Sequence, residues 1–386
     1  MLSPLLLSSL KSAKAPALLI KKGQENYAFS NGFYIFEIKN KEWNPKFILY
    51  LFRSPRFREI LDNHLCRGIG ISTYKERDLL KIRIPIISKE IQDSVLVQIE
   101  SLEKMVLEEK SMLEKPIDVI HREILGDRPY DIEKFSSLDK IKVFKTRLSK
   151  FSNSEDLRFG VNFHHPKYGV IDQYFEKQPS EPLSDLIRGP ITLGKSPVYD
   201  DSGEAFYLTM ATIKSYEFDL EDARKLKDKF YLENKGTKPL ERNDILLARS
   251  GLGTIGKVAL MEEDFPNIYC DFTMRIRTKE ASTAQWLYYF MRTDLFQLEI
   301  LRWKKGMGNL MNIFPSQVEK LKILHLSNSE RTRKAASVKQ KLIELQDKNK
   351  KVNRLRGKIS DLVVSSLETI DRKKGKNNNG TKINLN

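Results

Sequence analysis

Residues 244–276 read DILLARSGLGTIGKVALMEEDFPNIYCDFTMRI, and the rest of the chain is organised around this stretch. Ile245–Leu247 is a short aliphatic run, and the glycine-rich segment Ser250–Gly256 follows it. A second apolar run covers Lys257–Met261, and a third covers Phe272–Ile276. Short apolar runs bounded by glycine and polar residues are typical of strands. The stretch therefore predicts three strands, of which the first two are joined by a glycine turn.

The sequence indicates that the same unit occurs twice. Displacing the stretch by 239 positions places it on the N-terminus, where similar residues recur in the same order. The matched pairs are Leu7 with Leu246, Phe33 with Phe272, Phe47 with Trp286, Leu51 with Phe290, Arg53 with Arg292, Phe57 with Phe296, Ile82 with Leu321 and Ile120 with Ile359. The register slips by about one residue near Gly68–Gly70, which falls beside Gly306–Gly308. An internal repeat of this length is considered before any single motif.

The chain is strongly basic, with a net charge of +16 and a sequence pI of about 9.5 over 386 residues. This balance favours a polyanionic partner, with nucleic acid first and an anionic membrane surface second. A highly charged protein without such a partner is the alternative. The two distant cysteines, Cys66 and Cys270, fit a reducing compartment without disulfides. The apolar run at Leu5–Leu7 is too short for a membrane span, so we expect a cytoplasmic protein with no membrane partner.

Two long helices with narrow apolar seams are predicted, one closing each copy. The first seam is Val95, Ile99, Leu102, Val106, Leu113, Ile117, Ile120 and Ile124, and the second is Val338, Leu342, Leu345, Val352, Ile359 and Val363. Recurrence at spacings of three, four and seven is typical of coiled-coil helices. Pro116 is expected to kink or split the first helix. Two equivalent helices are expected to pack against each other, antiparallel, along these seams.

Several shorter elements are predicted from local pattern. Apolar, aromatic and β-branched runs predict strands at Phe33–Ile38, Leu80–Ile87, Phe206–Met210 and Phe230–Leu232. Trp286–Leu301 is predicted to be a helix, the counterpart of Phe47–Asp62. The C-terminal stretch from Arg372 is polar and cannot bury enough apolar surface to fold.

No catalytic or metal site is evident. Residues 251–256 match GxGxxG literally, but a predicted strand follows where a dinucleotide site needs a helix N-terminus. The five histidines have no metal-ligand spacing with cysteine or carboxylates, and GxSxG and HExxH are absent. The glycines are better explained by a tight loop in which backbone approaches backbone or a phosphate.

Basic and polar residues crowd the two glycine loops of the second copy. They are Arg249, Ser250, Gly251, Thr254, Lys257, Arg302, Lys304, Lys305 and Asn309. Arginine and lysine bind phosphates or guanine edges, and asparagine can pair with adenine. We predict that these residues contact double-stranded DNA, with Asn309 as the candidate base contact. A solvated charged rim is the alternative for any single residue.

The order of these features resembles the DNA-specificity subunit of type I restriction-modification systems. The residues that carry the resemblance are Asp244–Gly251, Gly256–Ala259, Trp286–Phe290, the Gly306–Gly308 loop and the long C-terminal helix, all repeated earlier in the chain. The resemblance covers nearly the whole chain, from Leu5 to about Leu367. It implies a mixed α/β fold in which target-recognition domains are joined by long helices in an antiparallel coiled coil, with an internal two-fold repeat.

The resemblance also implies a domain division and a function. The domains would be a partial first recognition domain (1–87), a spacer helix (88–126), a connector (127–156), a complete second recognition domain (157–326), a second spacer helix (327–367) and a disordered basic tail (368–386). The chain would be a non-catalytic subunit that binds double-stranded DNA and directs methyltransferase subunits and a restriction/translocase subunit. It would hold no cofactor, because S-adenosylmethionine and ATP are expected on those partners.

The sequence departs from the family pattern in its first copy, which has no counterpart of residues 157–239. We therefore expect an unpaired strand edge near Leu5–Leu7 and an exposed apolar face that includes Leu18, Leu19 and Ile20. We expect the chain either to be a truncated specificity subunit that reads one half-site or to be completed by another polypeptide that supplies the absent segment. Two other classes stay open, namely a coiled-coil structural protein without a DNA role and a DNA-modifying enzyme.

Overall fold

A computed structural model describes residues 4–8, 17–20, 23–24, 26–30, 32–61, 75–82, 84, 87–126, 130–152, 158–200, 202–214, 217–221, 223–237, 239–306 and 310–374. The protein is a mixed α/β chain with long helices, as the sequence predicts. It divides into two compact units. The first unit comprises Met1–Leu113 and Gln346–Asn386, and the second comprises Glu114–Leu345. Within the described residues, no helix is long and apolar enough to span a membrane.

The first unit is built on a three-stranded antiparallel sheet of order β2-β1-β3. Its elements are β1 (Leu5–Ser8), β2 (Ala17–Leu19), β3 (Phe33–Phe36), α1 (Pro45–Arg53), α2 (Pro55–Ile60), α3 (Glu76–Leu79) and α4 (Lys89–Ser111). Helix α1 begins at a proline after Asn44, whose side chain accepts from the backbone N–H of Lys46. It ends at Ser54, whose hydroxyl donates to the Leu51 carbonyl at 2.7 Å and accepts from the N–H of Phe57. Ser54 therefore closes α1 and opens α2.

Helix α4 of the first unit packs against the C-terminal part of the last helix, α13 (Asn328–Lys374). Ile99 lies in one buried cluster with Val363, and Val106 lies in another with Val352 and Leu355. Glu109, further along α4, pairs with Lys351 at 2.5 Å. Because later residues of α4 meet earlier residues of α13, the two helices are antiparallel here.

The second unit contains the remaining elements. They are α5 (Pro116–Leu125), α6 (Ile132–Asp139), α7 (Ser149–Ser152), α8 (Tyr168–Lys177), β4 (Ser180–Pro182), β5 (Thr192–Leu193), β6 (Phe206–Leu208), β7 (Ile213–Lys214), β8 (Glu217–Phe218), α9 (Asp228–Asn234), β9 (Ile245–Ala248), β10 (Val258–Leu260), β11 (Asn267–Tyr269), β12 (Thr273–Ile276), α10 (Ala281–Arg292), α11 (Asp294–Trp303), α12 (Pro315–Val318) and β13 (Lys322–Leu324). Short 3-10 turns cover Val161–His164, Leu183–Asp185 and Met210–Thr212.

The main sheet of the second unit has the order β10-β9-β12-β5, with every pair antiparallel. Strand β9 is completely buried, and Trp286 and Phe290 of α10 lie in the same cluster as Ile245 and Leu247. Helices α10 and α11 meet at Thr293, whose hydroxyl donates to the Phe290 carbonyl at 2.7 Å. The helix predicted at Trp286–Leu301 is thus two helices, because Thr293 closes one before Asp294 opens the next.

Helix α5 packs against the N-terminal part of α13 within the second unit. Ile120 and Val338 belong to one buried cluster. The Glu123 carboxylate accepts from Lys341 at 2.5 Å and from the Ser337 hydroxyl at 2.7 Å. Lys334 donates to the backbone carbonyls of Glu123 and Ile124. The break predicted at Pro116 is confirmed, since α4 ends at Ser111 and α5 begins at that proline.

Two of the strand predictions are wrong. Phe230–Leu232 lies inside α9, whose Asn234 side chain donates to the Phe230 carbonyl at 2.7 Å. At Leu80–Ile87, Leu80 and Lys81 form a turn and no described residue is in a strand. The counterpart of this stretch in the second unit, β13, is a strand because it pairs with β4. Among the described residues, no strand pairs with the matching stretch of the first copy.

The position of the strand edge in the first unit also corrects a prediction. Strand β1 is central, pairs on both sides, and leaves Leu5–Leu7 no more than 1% exposed. The edge lies at β3 instead. Leu18 is 37% exposed as expected, but Ile20 is buried. Leu5–Leu7 is not an edge because β2 pairs with one side of β1 and β3 with the other.

Candidate nucleic-acid interface

The glycine turn follows the buried strand β9 and is held in a single tight form. Gly251, Gly253 and Gly256 have φ values of +89°, +80° and +89°, in the left-handed region that glycine adopts without strain. The Thr254 hydroxyl donates to the Ser250 carbonyl at 2.6 Å. A Cβ added to Gly251 would lie 2.5 Å from that hydroxyl oxygen. Strand β10 follows the turn, so no helix N-terminus is available for a dinucleotide pyrophosphate.

Asn312 joins the two basic loops through its backbone. Its N–H donates to the Lys305 carbonyl at 2.8 Å, and its carbonyl accepts from the Lys305 N–H at 2.7 Å. Asn312 also forms a bridge with Ser250, while the N–H of Gly251 donates to the Met311 carbonyl at 3.2 Å. Two loops more than fifty residues apart in sequence therefore form one surface. This surface, comprising Arg249–Lys257, Lys304–Gly306 and Leu310–Phe314, is called the paired-loop surface below.

Lysines line the paired-loop surface. Lys305 is exposed, and Lys257 and Lys304 are half-buried. Burial lowers the pKa of Lys304, and the nearby charge of Lys167 adds to that effect. Among the described residues, no carboxylate forms an ion pair with Lys257 or Lys304. A half-buried ammonium without a carboxylate partner suits an anion such as a phosphate, which would restore the lost solvation.

Arg249 ties this surface to the neighbouring loop. Its Nε donates to the Asp271 carbonyl at 3.0 Å, and its guanidinium lies 5.5 Å from the centre of the Phe314 ring. Its backbone N–H donates to the Phe272 carbonyl at 3.0 Å. The Nη1 atom is buried and has no hydrogen-bond partner among the described residues. Arg249 thus holds the turn in place and keeps one donor unused.

Arg302 is engaged within the protein. Its guanidinium donates to both carboxylate oxygens of Asp172, at 2.7 and 3.1 Å, and to Glu299 at 3.4 Å. Burial raises the pKa of Glu299, and Arg302 partly opposes this rise. The Arg302 side chain is only 15% exposed and is held by both carboxylates, although Asp172 is itself 48% exposed. The geometry therefore favours a structural role for Arg302, which joins α11 to α8, over the predicted DNA contact.

Six of the nine residues singled out in the sequence lie together on the paired-loop surface, in addition to Arg249. Ser250, Gly251 and Thr254 form the turn, and Lys257, Lys304 and Lys305 surround it. Ser250 is buried, so only its backbone contributes to the surface. Asn309 lies outside the described residues.

Sequence reasoning missed three neighbours of the turn. Phe272 and Phe314 are 48% and 39% exposed; the Phe314 ring lies beside the Arg249 guanidinium, and the Phe272 carbonyl accepts from the Arg249 N–H. Met210 approaches from the 3-10 turn, with its sulfur 3.7 Å from the Thr254 hydroxyl. Exposed aromatics beside lysines are typical of surfaces that stack on bases or sugars. The sequence carried no clear signal for them, because an isolated phenylalanine is normally a core residue.

No protein-family model matches the sequence, and no curated protein matches it. The chain is similar to several solved structures. One is from a study of complex assembly and conformational transition of the type I R-M system, with 12% identity, a TM-score of 0.47, and coverage of 94% of this chain and 81% of that chain. Another is the type I restriction-modification S subunit from M. genitalium, with 12% identity, a TM-score of 0.41, and coverage of 95% and 83%. A third is the HsdS subunit from Thermoanaerobacter tengcongensis, with 13% identity, a TM-score of 0.36, and coverage of 95% and 80%.

Proposed function

We propose that this chain is a DNA-specificity subunit of a type I restriction-modification system. Its second unit binds double-stranded DNA through the paired-loop surface and reads one half of a target site. Methyltransferase and restriction/translocase subunits dock on the chain and carry S-adenosylmethionine, ATP and the chemistry. The single observation that carries the proposal is the joining of two basic glycine loops into one surface around Asn312.

The duplicated unit supports this proposal. In the first unit Leu5 pairs with Phe36, and in the second Ile245 pairs with Ile276, each 240 positions later. The helix breaks correspond as well, because Ser54 and Thr293 lie 239 positions apart and each hydroxyl donates to the carbonyl three residues earlier. Shared strand pairing and shared helix capping, at displacements that differ by one residue, are what a duplicated recognition domain requires.

The long helices support a spacer role. We propose that α4 and α5 together pair with α13 as an antiparallel coiled coil. Ile99 shares a buried cluster with Val363, and Ile120 shares one with Val338. Ion pairs such as Glu109 with Lys351 lie beside these apolar residues. Apolar seam residues flanked by ion pairs are typical of coiled coils. Charged helix faces outside the seam remain available for partner subunits.

The experiment is a DNA-binding titration with the full chain and a triple variant, Lys257→Gln, Lys304→Gln and Lys305→Gln. We expect the affinity for duplex DNA to fall by on the order of 100-fold, and the slope of log affinity against log salt to shrink by about three. The matched control removes three exposed charges elsewhere, at Lys104, Lys110 and Lys348. Equal losses in both triple variants, or no binding by the parent chain at low salt, would contradict the proposal.

A further inference from the structure

A short stretch between α6 and α7 of the second unit carries a dense run of positive charge. Residues 140–151 read KIKVFKTRLSKF, with five basic side chains and no carboxylate. The basic residues are Lys140, Lys142, Lys145, Arg147 and Lys150, and all five are exposed. Residues 141–147 are in neither a helix nor a strand. The stretch 140–151 is called the basic connector below.

Two adjacent histidines hold the basic connector against the rest of the second unit. His165 Nε2 donates to the Ile141 carbonyl at 2.9 Å, and the His165 ring lies edge-on to Phe144, with ring centres 5.3 Å apart. At the other end, the rings of Phe151 and His164 lie 4.3 Å apart. The basic side chains between these anchors are therefore presented from a fixed backbone, which lowers the entropic cost of binding a partner.

The charges of the basic connector lack counter-ions within the described chain. Among the described residues, no carboxylate forms an ion pair with Lys145, Arg147 or Lys150. The acidic residue nearest in sequence, Asp139, pairs with Lys167 at 2.8 Å instead. A run of like charges without counter-ions creates a local positive potential, which a polyanion neutralises.

Aromatic contacts connect the basic connector to the end of α11, which carries the lysines of the paired-loop surface. His164, which contacts Phe151, also lies edge-on to Phe163 at 5.1 Å. Phe163 in turn lies edge-on to Trp303 at 5.0 Å. Trp303 is the last residue of α11 and directly precedes Lys304. The basic connector and the paired-loop surface are therefore neighbours within the second unit.

Electrostatic interactions follow the same route. The hydrogen bond and charge of Lys167 lower the pKa of Asp139, and the charge of Lys142 adds to this effect. Burial lowers the pKa of Lys304, and the charge of the same Lys167 adds to that decrease. Lys142 of the basic connector and Lys304 of the paired-loop surface thus both lie within electrostatic range of the Lys167–Asp139 pair. The two regions form one extended positive surface.

We propose that the basic connector is a second DNA-binding site, which contacts the phosphate backbone of the duplex beside the half-site read by the paired-loop surface. This inference rests on the proposed function and adds a separate surface to it. Residues 141–147 provide no helix or strand to enter a groove, and lysine and arginine side chains on an exposed loop suit phosphates. The contacts of the basic connector are therefore independent of base sequence, and they raise affinity and orient the duplex.

An acidic face of a partner subunit is the competing occupant of the basic connector. The continuity of positive charge with Lys304 and Lys305 favours the duplex, because a rod of regularly spaced phosphates matches an extended basic surface. The paired-loop surface retains the discrimination between base sequences.

The first test is a salt titration of duplex binding by the full chain. The connector variant carries Lys145→Gln, Arg147→Gln and Lys150→Gln, all at exposed side chains. With a random-sequence duplex about four helical turns long, its affinity should fall on the order of tenfold and its salt slope should shrink by about two to three. Duplexes of unrelated sequence should show the same loss. The control variant of the DNA titration above should bind as the parent chain does.

Photo-crosslinking locates the contact and identifies the occupant. p-Benzoylphenylalanine in place of Val143 or Leu148, which are 89% and 78% exposed, should crosslink to the labelled duplex. In place of Val97 or Leu107 on α4, each 67% exposed, it should not. In the complex with a methyltransferase subunit, crosslinks from the basic connector to that subunit and none to DNA would overturn the proposal.

The outcomes separate this proposal from the proposed function. We expect both the connector variant and the paired-loop triple variant to lose affinity, and their salt-slope losses to add when the two are combined. If only the paired-loop variant is weakened, the connector proposal is wrong and the proposed function stands. If only the connector variant is weakened, the paired-loop surface is not the DNA contact and the basic connector is. A parent chain that binds no duplex at low salt overturns both.

Discussion

The sheets of the two units share the same central arrangement of strands but differ at one edge. In both, a buried central strand pairs antiparallel on each side, and a helix pair broken at a capping hydroxyl covers the core. In the second unit β5 extends the sheet beyond β12, and β13 pairs with β4. Among the described residues of the first unit, no strand extends the sheet beyond β3. Ile82 and Ile84, in the matching stretch of the first unit, are not in a strand. A strand-forming sequence thus becomes a strand only where a neighbour pairs with it.

The largest expected effect compares the two matching positions, Leu321 and Ile82. Leu321 is 1% exposed in the filled core, whereas Ile82 lines an open cavity. Leu321→Ala should lower the free energy of unfolding of the second unit by about 2–5 kcal/mol. Ile82→Ala should cost the first unit clearly less, because the Ile82 side chain is only half-buried. Hydrogen exchange measures each unit separately, and equal costs would erase the proposed difference between the units.

A smaller effect is expected at the glycine turn, which has no counterpart among the described residues of the first unit. Gly251→Ala should destabilise the second unit by about 1–2 kcal/mol, because φ is +89° and the new Cβ would meet Thr254. Gly253 is the matched control, with φ at +80° but no atom near the position of a Cβ. Denaturant titration should rank Gly251→Ala as the more costly change. The reverse order would show that Thr254 does not hold the turn.

The smallest effect concerns the helix contacts and depends on pH. Burial opposes ionisation of Glu123, but hydrogen bonds from Lys341 and Ser337 outweigh it and lower its pKa below the usual 4.5. A lowered pKa stabilises the fold above the unfolded-state value, and the contribution disappears as pH falls through the folded-state value. Glu123→Gln should therefore cost about 1 kcal/mol near pH 7 and almost nothing in acid.

Glu109 in the first unit supplies the comparison for that measurement. Its partner Lys351 is 59% exposed, so water screens the pair. Glu109→Gln should change stability little at any pH. A pH-independent loss in Glu123→Gln would assign its effect to packing instead of to charge.

Sequence pattern predicted the parts of the fold that depend on local apolar order. The three strands around the glycine turn, the break at Pro116 and the long last helix all appear where the pattern places them. The wrong predictions lie in stretches whose secondary structure depends on contacts with other parts of the chain. Phe230–Leu232 has an apolar run typical of a strand, yet it folds as part of α9. Leu80–Ile87 has the composition of a strand but no pairing partner among the described residues.

The candidate site divides in the same way. Glycines and lysines that cluster in sequence pointed to the turn, and the structure joins it to the second loop through Asn312. Arg302 is also a basic residue near the loop in sequence, but its guanidinium pairs with Asp172, which is 130 residues away in sequence. The assignment of Phe272 and Phe314 to the site depends on their solvent exposure, which a single sequence does not reveal. Contacts between residues that are distant in sequence therefore determine the roles of these side chains, which the local sequence pattern does not show.

The most direct measurement is a genome-wide map of methylated sites in cells that express this chain with its methyltransferase subunit, set against cells that lack the chain. We expect methylation at one defined sequence only when the chain is present, and loss of that signal in the Lys257, Lys304 and Lys305 triple variant. Methylation that is identical with and without the chain would contradict the account.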